Sequence, residues 1–188
     1  HSQLQLALLR HSLGFTRIMH AVRSCPDLPL ASEFDGALRL SLEASVKFSA
    51  TDIMWAQAQL PIRFGGLGLL SVSAINSVAY LCSRILTAGV CSRLLNITVG
   101  DMSAPLATMP ASRFLPVSVL YHASQSPPER SLQRASLHRF YSAQFDNLTS
   151  SLTGVDSTRV ICNASPGASR WLTSPIGVLR NSLFSCPQ

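Results

Sequence analysis

At 188 residues the chain is long enough for one domain or two small ones, with a buried core in either case. Hydrophobic residues make up 47% and charged residues only 13%, against about 25% in average globular proteins, which excludes an intrinsically disordered chain. The formal charge of +6 comes almost wholly from arginine, Lys47 being the only lysine, so an anionic partner is favoured over a cationic one.

In chain order, Leu6, Leu9 and Leu13, then Phe15, Ile18, Met19 and Val22, follow helical spacing on either side of Gly14. Pro26 and Pro29 end that pair. Ser32 to Asp35 resembles a capping box with Asp in the place of Glu or Gln, and opens a helix with Phe34, Leu38 and Leu42 on one face. Ser49 to Asp52 repeats the signal before a short helix through Trp55 and Ala58, which Pro61 stops. The glycine-rich stretch LPIRFGGLGLL, Leu60 to Leu70, follows.

Ser71 is the expected cap of the longest regular pattern, Val72, Ile75, Val78 or Ala79, Cys82, and Ile85 or Leu86. Asn76, Ser83 and Arg84 fall on its other faces. Residues 96–114 lose any clear period and read as a linker. Ser126-Pro-Pro-Glu129 is a helix start with Pro127 in the first turn, and the helix after it is expected to bury Leu137, Phe140 or Tyr141, Phe145 and Leu148. Beyond Gly154 only short pieces around Val160–Cys162 and Trp171–Leu172 stand out. The expected fold is mainly α, with a helical region over 1–95, a linker over 96–114 and a less regular helical region over 115–188.

The most apolar stretch, 78–95, is interrupted by Arg84 and Arg93, so no membrane span is expected. Five widely spaced cysteines form no Cys-x-x-Cys pair, which points to reduced thiols and an intracellular chain, in the cytoplasm or nucleus. In that setting the three Asn-x-Ser/Thr matches at Asn96, Asn147 and Asn163 read as chance. The chain opens at His1 inside a helical pattern, as a fragment of a longer protein would.

Gly66-Leu-Gly68-Leu-Leu-Ser71 lacks the third glycine of a dinucleotide loop, follows a helix and a proline, and has no Walker lysine. A tight turn with close backbone packing is the better account. There is no G-x-S-x-G elbow and no paired carboxylate, so catalysis by this chain is not expected, nor is a metal or cofactor of its own. Arg130, Arg134 and His138 lie four apart on the helix opened at Ser126, with Tyr141 just beyond, and would track a phosphate backbone. Arg10 and Arg17, a heptad apart, form a second basic face. Both stripes also read as ordinary solvated surface, and Trp55 and Trp171 as core anchors.

Trp55-Ala-Gln57-Ala-Gln-Leu60-Pro61-Ile-Arg-Phe-Gly65-Gly66-Leu-Gly68, followed by Ala79-Tyr80-Leu81, resembles a segment of reverse-transcriptase-like retroelement proteins C-terminal to the polymerase palm. The family reads W-x-Q-A-x-L-P-x-x-x-G-G-L-G and then A-[F/Y]-L-A-S, with Cys82 standing here for the usual alanine. Leu9 to Gly14, Arg23 to Pro26, Phe34-Asp35 and Ala168 to Leu172 are similar to flanking pieces, so the resemblance covers most of the first half and one patch of the second. It implies a thumb or connector: a helical bundle that packs on the palm and holds an RNA/DNA template–primer. Arg10, Arg17 and Arg63 are the matched-region cations for backbone contacts. Magnesium is implied only for the palm of the parent polymerase, because no Tyr-x-Asp-Asp occurs here. The alternative is a stand-alone helical interaction module or a degenerate remnant of such an element.

Overall fold

A computed structural model of the chain describes residues 2–96, 98, 109–115, 132–168 and 172, and among them helix dominates and no strand occurs. The order is α1 (Ser2–Leu8), a π-helical turn (Leu9–Leu13), a 3₁₀ turn (Phe15–Arg17), α2 (Met19–Ser24), α3 (Ala31–Val46) and α4 (Asp52–Gln59). A 3₁₀ turn (Ile62–Phe64), α5 (Val72–Leu95), a 3₁₀ turn (Pro110–Phe114), α6 (Leu132–Ser151) and α7 (Gly154–Asn163) follow. The mainly α expectation holds. The helix start at Ser126–Glu129, most of the expected linker, Arg130 and Trp171 lie outside the described residues.

Two compact units are each assembled from separated stretches, the first from His1–Arg17, Phe34–Ser71 and Gln144–Gln188, the second from Ile18–Glu33 and Val72–Ala143. In the first, Leu9, Leu38, Leu42, Ala58 and Leu69 form a buried cluster against which Leu6, Trp55 and Leu67 pack. Trp55 is therefore an anchor, as its helical spacing implies. Gly14 closes the π-helical turn because a Cβ there would run into the Leu9 carbonyl.

The capping signals are used differently from their sequence reading. α3 starts at Ala31, so Ser32 is already helical. The Asp35 carboxylate is buried and accepts a 2.6 Å hydrogen bond from the Ser71 hydroxyl. At α4 the cap is Thr51, whose Oγ1 accepts from the Met54 amide at 3.3 Å, and not Ser49. Arg39 ties the end of α3 to the start of α4. Its Nη1 lies 3.0 Å from Asp52, its Nε 3.3 Å from Glu43, and its Nη2 donates to the Ala50 carbonyl. The hydrogen bond to Asp52, with the Glu43 contact adding, draws the Arg39 pKa above its ordinary value. α7 is a regular helix where only short pieces were expected. Its Val, Ile, Thr, Ser and Asp residues are poor helix formers, so propensity hides it, and packing of Val160 supplies what the local sequence lacks.

In the second unit α2 packs on α5, and α5 on the turn Pro110–Phe114. Val22, Ile75, Val78, Leu81 and Cys82 are almost fully buried there. Asn76, expected on a polar face, is instead buried, and its Nδ2 donates to the Pro26 carbonyl at 3.2 Å. The apolar arc of α5 is thus wider than one stripe. By length and composition α5 is long and apolar enough to cross a membrane, Arg84 and Arg93 notwithstanding, and the core helix of a folded unit meets the same criteria. On the first half of α6, Leu132, Ser136, Phe140 and Tyr141 are buried.

Candidate nucleic-acid interface

The glycine stretch belongs to the first unit and is a wound turn in which the amides from Phe64 to Leu69 all donate within the protein. Leu60 and Pro61 are extended, which ends α4, and Gly65 takes a left-handed φ of 74° after the 3₁₀ turn. The Gly65 amide donates to Ile62 O at 3.0 Å, Gly66 to Pro61 O at 3.3 Å, and Gly68 to Leu60 O at 2.9 Å. The Leu67 and Leu69 amides both reach Ala58 O. Gln57 fixes the turn from α4 by donating its Nε2 to Gly65 O at 3.1 Å. Amides so engaged have no donor left for a phosphate, which disposes of the nucleotide-cradle reading on geometry.

Each glycine also admits a different neighbour. A Cβ on Gly65 would lie 2.9 Å from the Ala164 nitrogen, one on Gly66 would meet the Gln57 and Leu60 carbonyls, and one on Gly68 would approach Arg10 Nε at 3.4 Å. Trp55, Gln57, Leu60, Pro61, Gly65, Gly66 and Gly68 therefore form one physical unit: core anchor, clamp, helix stop and three close approaches. Beside it lies a cavity of about 230 Å³, lined among others by Met54, Gln57, Gly66, Asn163 and Leu172. None of the described residues lining it is an acid or a base.

The basic residues separate. Arg10 is half-buried, its Nη1 donates to Leu172 O at 3.1 Å, and burial draws its pKa below the ordinary value. Arg17 is exposed on the next turn and donates to Ser12 O at 2.9 Å. The heptad spacing assumed one continuous helix, whereas the chain passes through a π-helical turn, Gly14 and a 3₁₀ turn between them, so the two do not share a helical face. Arg63 is exposed at the tip of the glycine turn, its guanidinium 5.2 Å from the Phe64 ring centre. Phe64 in turn packs on Phe145 at 5.9 Å.

In the second unit Arg134 and His138 are exposed on α6 as their spacing implies. Tyr141 is not available to stack on a base: the 3.6-residue period places it on the side of Arg134, seven residues on, yet it is 5% exposed and packs edge-on against Phe140. Three exposed arginines that sequence spacing did not single out stand near α6. Arg23 of α2 donates to Gln133 Oε1 at 2.5 Å, Arg139 donates to Leu115 O at 3.0 Å, and Arg113 lies 4.7 Å over the Phe114 ring. Their sequence separations, 110 residues for Arg23 and Gln133, left no local signal.

Among the described residues no group of three or more His, Cys, Asp or Glu could hold a metal ion. The chain matches no protein-family model, no curated protein and no solved structure.

Proposed function

We propose that the chain is a non-catalytic helical piece of a reverse-transcriptase-like retroelement protein, from the region C-terminal to the polymerase palm. In that role it packs on the palm of the parent chain and holds the template–primer through its backbone, inside the cell. The observation that carries the reading is the turn at Leu60–Leu69. The ordered residues of the family-like signature each have a physical task in one local structure, so they behave as an inherited unit and not as scattered matches. Arg17 and Arg63, both exposed, are the first unit's cations for phosphate contact, while Arg10 serves mainly to hold Leu172.

Filter binding of the chain to an RNA–DNA hybrid over 50–200 mM salt tests this. Binding should weaken steeply with salt, and Arg17→Ala with Arg63→Ala should flatten the slope by about two, roughly one per lost phosphate contact. No binding at 50 mM salt would withdraw the template–primer role.

A second reading, a helical protein-interaction module, has its own observation. Leu4, Leu8 and Leu13 near the start, and Phe48, Ile53 and Met54 at the α3–α4 connection, are exposed large apolar side chains on the first unit. Binding to hybrid that is unaltered by salt or by the arginine substitutions would favour it.

A further inference from the structure

We infer that the outward face of the C-terminal half of α5 is a docking ridge for an acidic amphipathic helix of a partner protein. The ridge uses none of the cations assigned to the template–primer above. Leu86, Val90 and Leu94 recur every fourth residue, so each step turns by about 40° and the three make one continuous ridge along the helix. Ile85 and Ala88, both buried, mark the opposite side. Val90 is 50% exposed and Leu94 79%, Thr87 beside them is exposed, and Leu86 is half-buried. An i, i+4 ridge of this kind interdigitates with the same ridge of another helix at a crossing angle of about −50°. From Leu86 to Leu94 it runs about 12 Å, so a helix of about three turns covers it.

Charge selects which helix. At about 100° per residue, Arg93 lies about 60° to one side of Val90 and Arg84 about 120° to the other. The apolar ridge therefore runs between two cations, exposed Arg93 and half-buried Arg84. α5 contains no acidic residue, and the ion pairs found among the described residues, those of Arg39 and Arg159, involve neither of these arginines. Guanidinium groups at the edges of an apolar strip match carboxylates in charge and in fork geometry. A partner helix with apolar residues at i and i+4, and Asp or Glu flanking them, meets the ridge and both cations together.

Two other occupants fit less well. A second copy of this chain would bring its own Arg84 and Arg93 and no carboxylate, with a formal charge of +6 on each chain. A lipid surface takes helices with a polar face rich in Lys or Arg and with aromatic side chains to insert, whereas residues 83–95 hold two cations and no aromatic.

The test is selection, on the full chain, of displayed helical peptides of about four turns with randomised surface positions. Selected peptides should be enriched in Asp or Glu beside an apolar i, i+4 pair. Val90→Ser/Leu94→Ser and Arg84→Glu/Arg93→Glu should each bind those peptides at least about tenfold more weakly. With Arg84→Glu/Arg93→Glu as the target, selection should enrich Lys or Arg at the flanking places, a reversal that misfolding would not produce. Failure to enrich any peptide overturns the ridge, as do peptides without an acidic bias or binding indifferent to both variants. Dimerisation seen by light scattering and lost in Val90→Ser/Leu94→Ser would give the face to a second copy. Flotation with vesicles of phosphatidylcholine and phosphatidylserine, lost in the same variant, would give it to lipid, and either result also overturns the inference.

Discussion

Gly66 is where one added methyl group should do most harm. Its backbone carries no positive φ, so alanine is conformationally allowed and the whole effect is steric. An alanine Cβ would press on the Leu60 carbonyl oxygen and come within 2.6 Å of the Gln57 carbonyl oxygen. Both are backbone atoms, so relief requires moving the end of α4 itself. Leu60 O accepts from the Gly68 amide at 2.9 Å, and Gln57 O from the Leu60 amide at 3.1 Å, so that movement loosens the bonds that close the turn. Overpacking of a tight site costs about 1–3 kcal/mol and a weakened hydrogen bond about 1 kcal/mol, giving roughly 2–4 kcal/mol for Gly66→Ala.

The contrast lies within the same chain. Gly36 in α3 and Gly89 in α5 have nothing within 4 Å of a built Cβ and no positive φ. Alanine there should add about 0.5–1 kcal/mol, because a helical glycine orders more backbone freedom than alanine. For a chain of this size 1 kcal/mol moves the melting temperature by about 2–4 °C. Thermal unfolding followed by circular dichroism at the helical band should show Gly66→Ala melting at least about 4 °C lower, with Gly36→Ala and Gly89→Ala slightly higher. A Gly66→Ala protein melting at or above the unaltered chain would refute the packing of the turn.

Ser71→Ala removes the donor to a buried carboxylate, and a hydrogen bond to a charged group is worth about 1.5–3 kcal/mol, so urea unfolding should give a midpoint lowered accordingly with an unchanged slope. Burial raises the Cys82 thiol above its ordinary pKa, so the native state keeps that proton when the unfolded chain releases it. The associated stability is fully present below about pH 8.5 and is lost as pH rises toward the native value, and Cys82→Ser should remove this alkaline loss in melts between pH 7 and 10. Exposed Cys25 and Cys162 should react with a thiol reagent at once, and Cys82 only after denaturant is added.

How far the sequence could be read depends on how local the governing physics is. The stop at Pro61, the anchor at Trp55 and the long α5 are set by neighbours within a turn or two, and all three were legible. The capping signals were legible only in outline. Thr51 stands two residues from the expected Ser49, and Asp35 answers Ser71 across 36 residues, a pairing no window could contain. Asn76 was misread because a polar side chain can occupy a buried face when a distant carbonyl, here Pro26, receives it.

The cations show the same division most sharply. Arg134 and His138 share a face because α6 is regular, so spacing sufficed for them. Arg10 and Arg17 were expected to share one by the same arithmetic, and the π-helical turn and Gly14 between them void it. Arg23 reaches α6 through Gln133, 110 residues away, Arg139 of α6 donates to Leu115 O, 24 residues away, and Arg113 lies over the ring of its neighbour Phe114, which packs on Phe140. The stripe of Arg130, Arg134 and His138 is legible from spacing alone, whereas the contacts of Arg23 and Arg139 exist only once distant parts of the chain have packed.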